Sequence, residues 1–205
     1  MAYWHIDGWM RALYPGVTWN RKGAGKVLYL SFDDGPTPDI TEKTLEILES
    51  YQAKSTFFSL GRNVDRHPEV YQKILDKGHS TGNHTYSHLK GWGTPNEIYY
   101  KDIELAGHSV KSKLFRPPYG RIRRSQIRHL SQKYEIVLWD VMSHDYEARL
   151  SKERSLRAVL KYAKEGSIVV FHDSVKAWPK LKYILPRVLE HFSEKGFKFE
   201  AILNS

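Results

Sequence analysis

The chain has no cysteine. Neither a disulfide framework nor a thiolate metal site is possible, and redox logic leaves the compartment open. It also lacks a long apolar run: nothing approaches the ~20 residues a helix needs to span a bilayer. The opening residues are interrupted by Asp7, Gly8 and Arg11 before a signal-peptide core can form. As written, the chain is expected in the cytoplasm, or outside it if a leader was removed. Trp4, Trp9 and Trp19 suit a segment, residues 1–24, that packs on one end of the domain rather than a membrane-surface anchor. No low-complexity tract, internal repeat or linker divides the 205 residues, so one domain is expected. Acidic residues are in deficit, 23 against 32 basic ones, for a net charge of +9. That balance favours an anionic or neutral polymer over a strongly cationic partner. The densest basic stretch, Arg121-Ile122-Arg123-Arg124, reads as a solvated helix face or as a groove wall that steers an acidic substrate. Nucleic acid is not expected, because no recognised module is present and the basic residues are scattered.

What is present is alternation. Apolar strand-like runs at Val27–Phe32, Ser55–Leu60, His79–Asn83, Lys113–Phe115, Glu135–Trp139, Ser167–Phe171 and Phe197–Ile202 are separated by helical segments. Those helices are marked by Pro near their starts (Pro38, Pro68, Pro95) and Gly after their ends (Gly78, Gly166, Gly196). Strands alternating with helices mean parallel pairing and an α/β fold. At 205 residues the chain is short for an eight-stranded barrel, whose usual length is about 250.

Five strand-like runs lead at once into residues suited to hydrolysis. They are Ser31-Phe32-Asp33-Asp34-Gly35-Pro36, His84-Thr85-Tyr86-Ser87-His88, Arg116-Pro117-Pro118-Tyr119-Gly120, Trp139-Asp140 and His172-Asp173. Polar groups gathered at the C-terminal ends of parallel strands are how α/β folds build active sites. His84 and His88 are four apart, which puts both rings on one face if the segment turns helical. Two neutral imidazoles and one carboxylate form a common hydrolytic zinc set, with Asp34 the natural third ligand. Adjacent residues leaving a strand point in different directions, so Asp33 is free to take a proton instead. Gly35-Pro36 holds that geometry.

The strings SFDDGP, HTYSH, RPPYG and VFH, in this order, closely resemble the motifs of the polysaccharide deacetylases, carbohydrate esterase family 4 with its NodB-homology domain. The resemblance covers about Val27 to Ile202 and identifies residues 25–205 as the catalytic domain. It implies a distorted (β/α) barrel of about seven parallel strands in a single domain. It also implies a divalent metal, most commonly Zn2+ with Co2+ or Ni2+ as alternatives, and removal of N-acetyl groups from N-acetylglucosamine-containing glycans of chitin or peptidoglycan type. Carried over by position, Asp33 is the general base, and Asp34, His84 and His88 are the metal ligands. Arg116 orients Asp33, the backbone N–H of Tyr119 meets the oxyanion, and His172 is the general acid. Such a reaction needs a metal to activate water and polarise the acetamide carbonyl, and an acid to protonate the departing amine. Pro117, Trp139 and Asp140 are assigned to substrate contacts, Trp139 as a wall of the acetyl pocket or as barrel core. A monomer is expected.

The chain departs from the family pattern in places. Ser31 replaces the usual threonine and Val170 the usual leucine. In Met142-Ser143-His144-Asp145-Tyr146, methionine stands for the first aspartate and tyrosine for tryptophan. The partner of His172 is therefore open between Asp140 and Asp145. Two other readings compete: a non-catalytic glycan-binding protein on the same scaffold, and a deacylase of a small ester or amide. A glycosidase is disfavoured, because no second carboxylate is set opposite the aspartate pair.

Overall fold

A computed structural model describes residues 4, 5, 11, 14–21, 23 and 25–203. Trp9, one of the three tryptophans assigned to the N-terminal segment, lies outside the described residues. The strands are β1 (Val17–Thr18), β2 (Val27–Asp33), β3 (Ser55–Ser59), β4 (Ser80–Asn83), β5 (Leu114–Phe115), β6 (Glu135–Val137), β7 (Val141–Met142), β8 (Ile168–His172) and β9 (Lys198–Phe199). They pair in parallel in the order β1-β6-β5-β4-β3-β2-β8-β7, and β9 joins the start of β2. The result is a curled half-barrel. All seven strands read from the sequence are found. The two not foreseen, β1 and β7, have two residues each; β5 and β9 are as short but lie within the longer strand-like runs Lys113–Phe115 and Phe197–Ile202.

Helices α1 (Ile40–Ser50), α2 (Gly61–Arg66), α3 (Pro68–Asp76), α4 (Asn96–Ser109), α5 (Arg124–Leu130), α6 (Lys152–Tyr162) and α7 (Trp178–Glu194) connect the strands. Helix α2 was not expected, since its six residues carry no apolar stripe. The caps follow the sequence: Asp39 N–H donates to Glu42 Oε2 (3.0 Å) at α1, and Ser151 Oγ accepts from Arg154 N–H (3.2 Å) at α6. Among the described residues, no helix is long and apolar enough to cross a membrane.

Strand parity decides which side chains meet. In β2, Leu28, Leu30 and Phe32 face outward into a cluster with Leu45, Leu48, Leu181 and Leu185 of the helices. Val27 and Tyr29 face the interior with Phe58, Leu114, Val137 and Ile168. Removing each such side chain from water contributes about 1.5–3 kcal/mol. Ser31 and Asp33 continue the inner parity, so the interior changes from apolar to polar toward the C-terminal ends of the strands. Both edges of the half-barrel meet the described part of the N-terminal segment. Val17–Thr18 extends β6, while His5 bridges Val141 of β7.

Candidate active site

The sheet register brings the motifs to one level. Asp33 lies opposite His172, Ser59 opposite Asn83, and Asn83 opposite Phe115. His84 and Arg116 therefore leave adjacent strands side by side. The strand ends open onto a cavity of about 490 Å³ whose lining includes Asp33, Asp34, His84, His88, Tyr119, Trp139, Met142, Tyr146 and His172. A larger cleft of about 620 Å³, lined by Lys111, Lys113 and Lys133, holds none of the motif residues.

Asp33 and Asp34 have unlike surroundings. Asp33, 4% exposed, accepts through Oδ1 from Arg116 Nη1 at 2.7 Å. Arg116 is fully buried: its Nη1 also donates to Ser31 Oγ (2.9 Å), its Nε to the Val137 carbonyl and its Nη2 to the Leu138 carbonyl, and its guanidinium lies 3.9 Å over the Phe58 ring. Ser31 thus keeps the hydroxyl of the threonine it replaces. Asp34, at φ 81, turns away from that pair. Its Oδ1 faces Nε2 of His88 at 3.2 Å and Nε2 of His84 at 3.9 Å. That oxygen is buried without a well-aligned hydrogen-bond donor.

One ligand atom from each of Asp34, His84 and His88 lies within 4.8 Å of the other two. His84 Nδ1 donates to the Arg116 carbonyl at 2.8 Å, which leaves Nε2 as the lone-pair nitrogen facing Asp34. Burial lowers the pKa of His84 to about 4, so its ring is neutral at ordinary pH. Burial works to raise the carboxyl of Asp34, but the nearby His88, His172 and His84 rings outweigh it, leaving Asp34 below its ordinary value. An orphaned carboxylate oxygen and two imidazole nitrogens form a donor set that fits a divalent cation.

The histidine pair does not reach this arrangement by helical spacing. Residues 84–90 form a non-helical loop, with Thr85 at φ 66 and His88 at φ 67, and the two rings are 5.2 Å apart. The loop is held by groups the sequence did not single out. Asn83 Oδ1 accepts from Thr85 N–H (2.8 Å), and Asp102 on α4 accepts from Tyr86 N–H, Ser87 N–H and Ser87 Oγ. A polar residue ending a strand is a weak signal for Asn83. Asp102, mid-helix, offers none.

His172 finds its partner in Asp145, not Asp140. Its Nδ1 is 2.8 Å from Asp145 Oδ1, and its backbone N–H donates to Asp145 Oδ2. Burial lowers the pKa of His172, but the Asp145 carboxylate overrides that and pushes it up to about 9. Tyr146 sits edge-on to the His172 ring at 4.7 Å. Tyr119, 62% exposed at φ 60, stands at the mouth of the cavity. Pro117 and Asp140 are not brought to it. Both are buried, and Asp140 is bound to Ser167 Oγ (2.6 Å), to Arg11 and to His5, beside the opposite end of β8. A polar residue after an apolar run reads alike in sequence whether it meets a pocket or a neighbouring strand start.

The polysaccharide deacetylase family model matches residues 20–138. A peptidoglycan-N-acetylglucosamine deacetylase of Bacillus cereus is 32% identical over 194 residues, covering 91% of each chain. Chitin deacetylase 2 of Saccharomyces cerevisiae is 31% identical over 160 residues, 71% of this chain and 50% of the yeast protein. Among solved structures, the Bc1960 peptidoglycan N-acetylglucosamine deacetylase with 4-naphthalen-1-yl-N-oxidanyl-benzamide superposes with a TM-score of 0.85 at 28% identity, over 95% of this chain and 93% of that one. A Bacillus anthracis pseudoenzyme of carbohydrate esterase family 4 shares the fold, with a TM-score of 0.78 at 21% identity over 94% of this chain and 69% of its own. With the motif order, the parallel half-barrel and the family model in agreement, this chain belongs to the polysaccharide deacetylases, carbohydrate esterase family 4.

Proposed function

We propose that the protein is a metal-dependent hydrolase that removes N-acetyl groups from N-acetylglucosamine-containing glycans. The observation that carries this reading is the unsatisfied Oδ1 of Asp34 facing two imidazole nitrogens, beside a second aspartate held apart by Arg116. Asp34, His84 and His88 would hold the cation, Zn2+ being the best match to two nitrogens and one oxygen. When bound, it supplies acidification of water and polarisation of the acyl carbonyl.

The chain's own groups do the remaining work. Arg116 fixes Asp33 through Oδ1 and leaves Oδ2 to take the proton of the attacking water. The Tyr119 backbone N–H faces the developing oxyanion, where losing one such donor typically costs about 3 kcal/mol. Asp145 holds His172 by Nδ1, so the imidazolium can deliver its Nε2 proton to the departing amine. Trp139, packed against Gly120 and lining the cavity, walls the acetyl group. Arg62 and Lys176 also line the cavity, and neither forms an ion pair among the described residues. That favours a glycan bearing carboxylates, as peptidoglycan does, and such a polymer puts the site of action outside the cytoplasm.

The non-catalytic reading loses support here, because Asp145 replaces what Met142 would otherwise have removed from His172. The test is acetate release from chitooligosaccharides and peptidoglycan fragments, abolished by a chelator and restored by added metal. Tight glycan binding with no acetate release under several metals would overturn it.

A further inference from the structure

Asp173 follows the acid histidine, is 1% exposed, and plays no part in the chemistry above. Its carboxylate reaches from the end of β8 into the turn that carries both aspartates. Oδ1 accepts from the Gly35 N–H at 3.1 Å, and Oδ2 is 2.5 Å from Thr41 Oγ1 on α1. Thr41 Oγ1 in turn accepts from Thr37 N–H at 2.8 Å. The Asp173 backbone N–H donates to the Asp33 carbonyl at 3.2 Å. The fit is close: a Cβ on Gly35 would lie 2.1 Å from Asp173 Oδ2.

The turn needs such a hold. Asp34 has φ 81, a left-handed conformation that costs a non-glycine residue energy and persists only when its surroundings fix it. From the other side, Asn63 Nδ2 donates to the Asp34 carbonyl (2.8 Å) and Leu60 N–H to the Gly35 carbonyl (3.0 Å). Asp173 is the clamp on the β8 side, and its side chain is the acceptor for the amide next to Asp34.

We propose that Asp173 is a positioning residue: by binding the Gly35 amide and Thr41 it holds Asp34 in the strained backbone that aims its Oδ1 at His84 and His88, and so sets cation affinity. This rests on Asp34 being a ligand. The Gly35 bond survives either protonation state of Asp173, since a proton on Oδ2 would only reverse the bond to Thr41.

The experiment measures Zn2+ and Co2+ affinity by competition with a chromophoric chelator, the Co2+ absorption spectrum and thermal melting, all without glycan. Asp173→Ala should lower metal affinity by about 10-fold or more and alter the Co2+ spectrum. Asp173→Asn should recover most of both, because its Oδ1 still accepts from Gly35. A merely structural residue would lower the melting temperature and leave spectrum and affinity alone. If the alanine variant does not fold, exchange of the Gly35 amide in the wild-type protein decides: protection supports the clamp, and exchange at the rate of an exposed loop overturns it. Wild-type spectrum and affinity in the alanine variant, or an asparagine variant as impaired as the alanine one, would also overturn it. Should the wild type bind metal yet release no acetate, the deacetylase reading fails while the clamp is still tested by these measurements.

Discussion

Neighbouring side chains in this chain do opposite work because their surroundings differ. Asp33 faces the interior and an arginine that pairs with it, whereas Asp34 is swung out by its positive φ toward two imidazoles. The same logic governs His172. Its charged form is favoured by Asp145, so its pKa is raised in the folded state. The resulting stabilisation is fully present below the ordinary histidine value of about 6.5 and is lost as pH rises through about 9. As the proposed general acid, His172 should set the alkaline limb of kcat/KM. Asp145→Asn is expected to move that limb to lower pH and to flatten the loss of stability over the same interval. Rate profiles and denaturant titrations across pH 6–10 would check both; an unmoved limb would assign it to another group. At this scale the sequence was legible where motifs are contiguous. It could not separate Asp145 from Asp140, because only the sheet register shows that one meets His172 and the other Ser167 at the far end of β8.

At the scale of elements, the loop after β4 matters most. It carries two of the three proposed cation donors in a path with two left-handed residues, and Asp102 anchors it with three hydrogen bonds from α4. Asp102→Ala strips the acceptor from the Ser87 amide and leaves Tyr86 N–H only the Asp102 backbone carbonyl at 3.2 Å, a loss worth roughly 1–3 kcal/mol for the amide left unsatisfied. We expect metal affinity to fall by about 10-fold with the half-barrel intact, read from chelator competition beside circular dichroism. The seven strands read from the sequence were evident because each lies in a strand-like run between turn residues. Strands β1 and β7 were not, since two residues pair only because β6 and β8 already stand beside them. The path of the histidine loop was not legible for a related reason: a spacing of four puts both rings on one face only if the segment turns helical, and Asn83, Thr85 and Asp102 offer its backbone other partners.

For the whole molecule, charge and curvature act together. The chain carries a net charge of +9, and its cavity is lined by Arg62 and Lys176, without ion-pair partners among the described residues. Screening lengths shrink from about 10 Å at 0.1 M salt to about 3 Å at 1 M. KM for carboxylate-bearing peptidoglycan fragments should therefore rise with salt, while KM for neutral chitooligosaccharides stays nearly constant. Equal salt dependence for the two would remove the cationic rim from substrate selection. The parallel sheet, foreseen from alternating strands and helices, and its curl, implied by the family resemblance, gather motifs distant in the chain at one end. The central claim is the division of labour between the two adjacent aspartates, and one paired measurement tests it: metal content and acetate release on the same preparations of Asp33→Asn and Asp34→Ala. The account predicts that Asp33→Asn retains the cation but loses turnover by at least about 100-fold, while Asp34→Ala loses the cation itself. Near-normal turnover in Asp33→Asn, or a full complement of metal in Asp34→Ala, would contradict it.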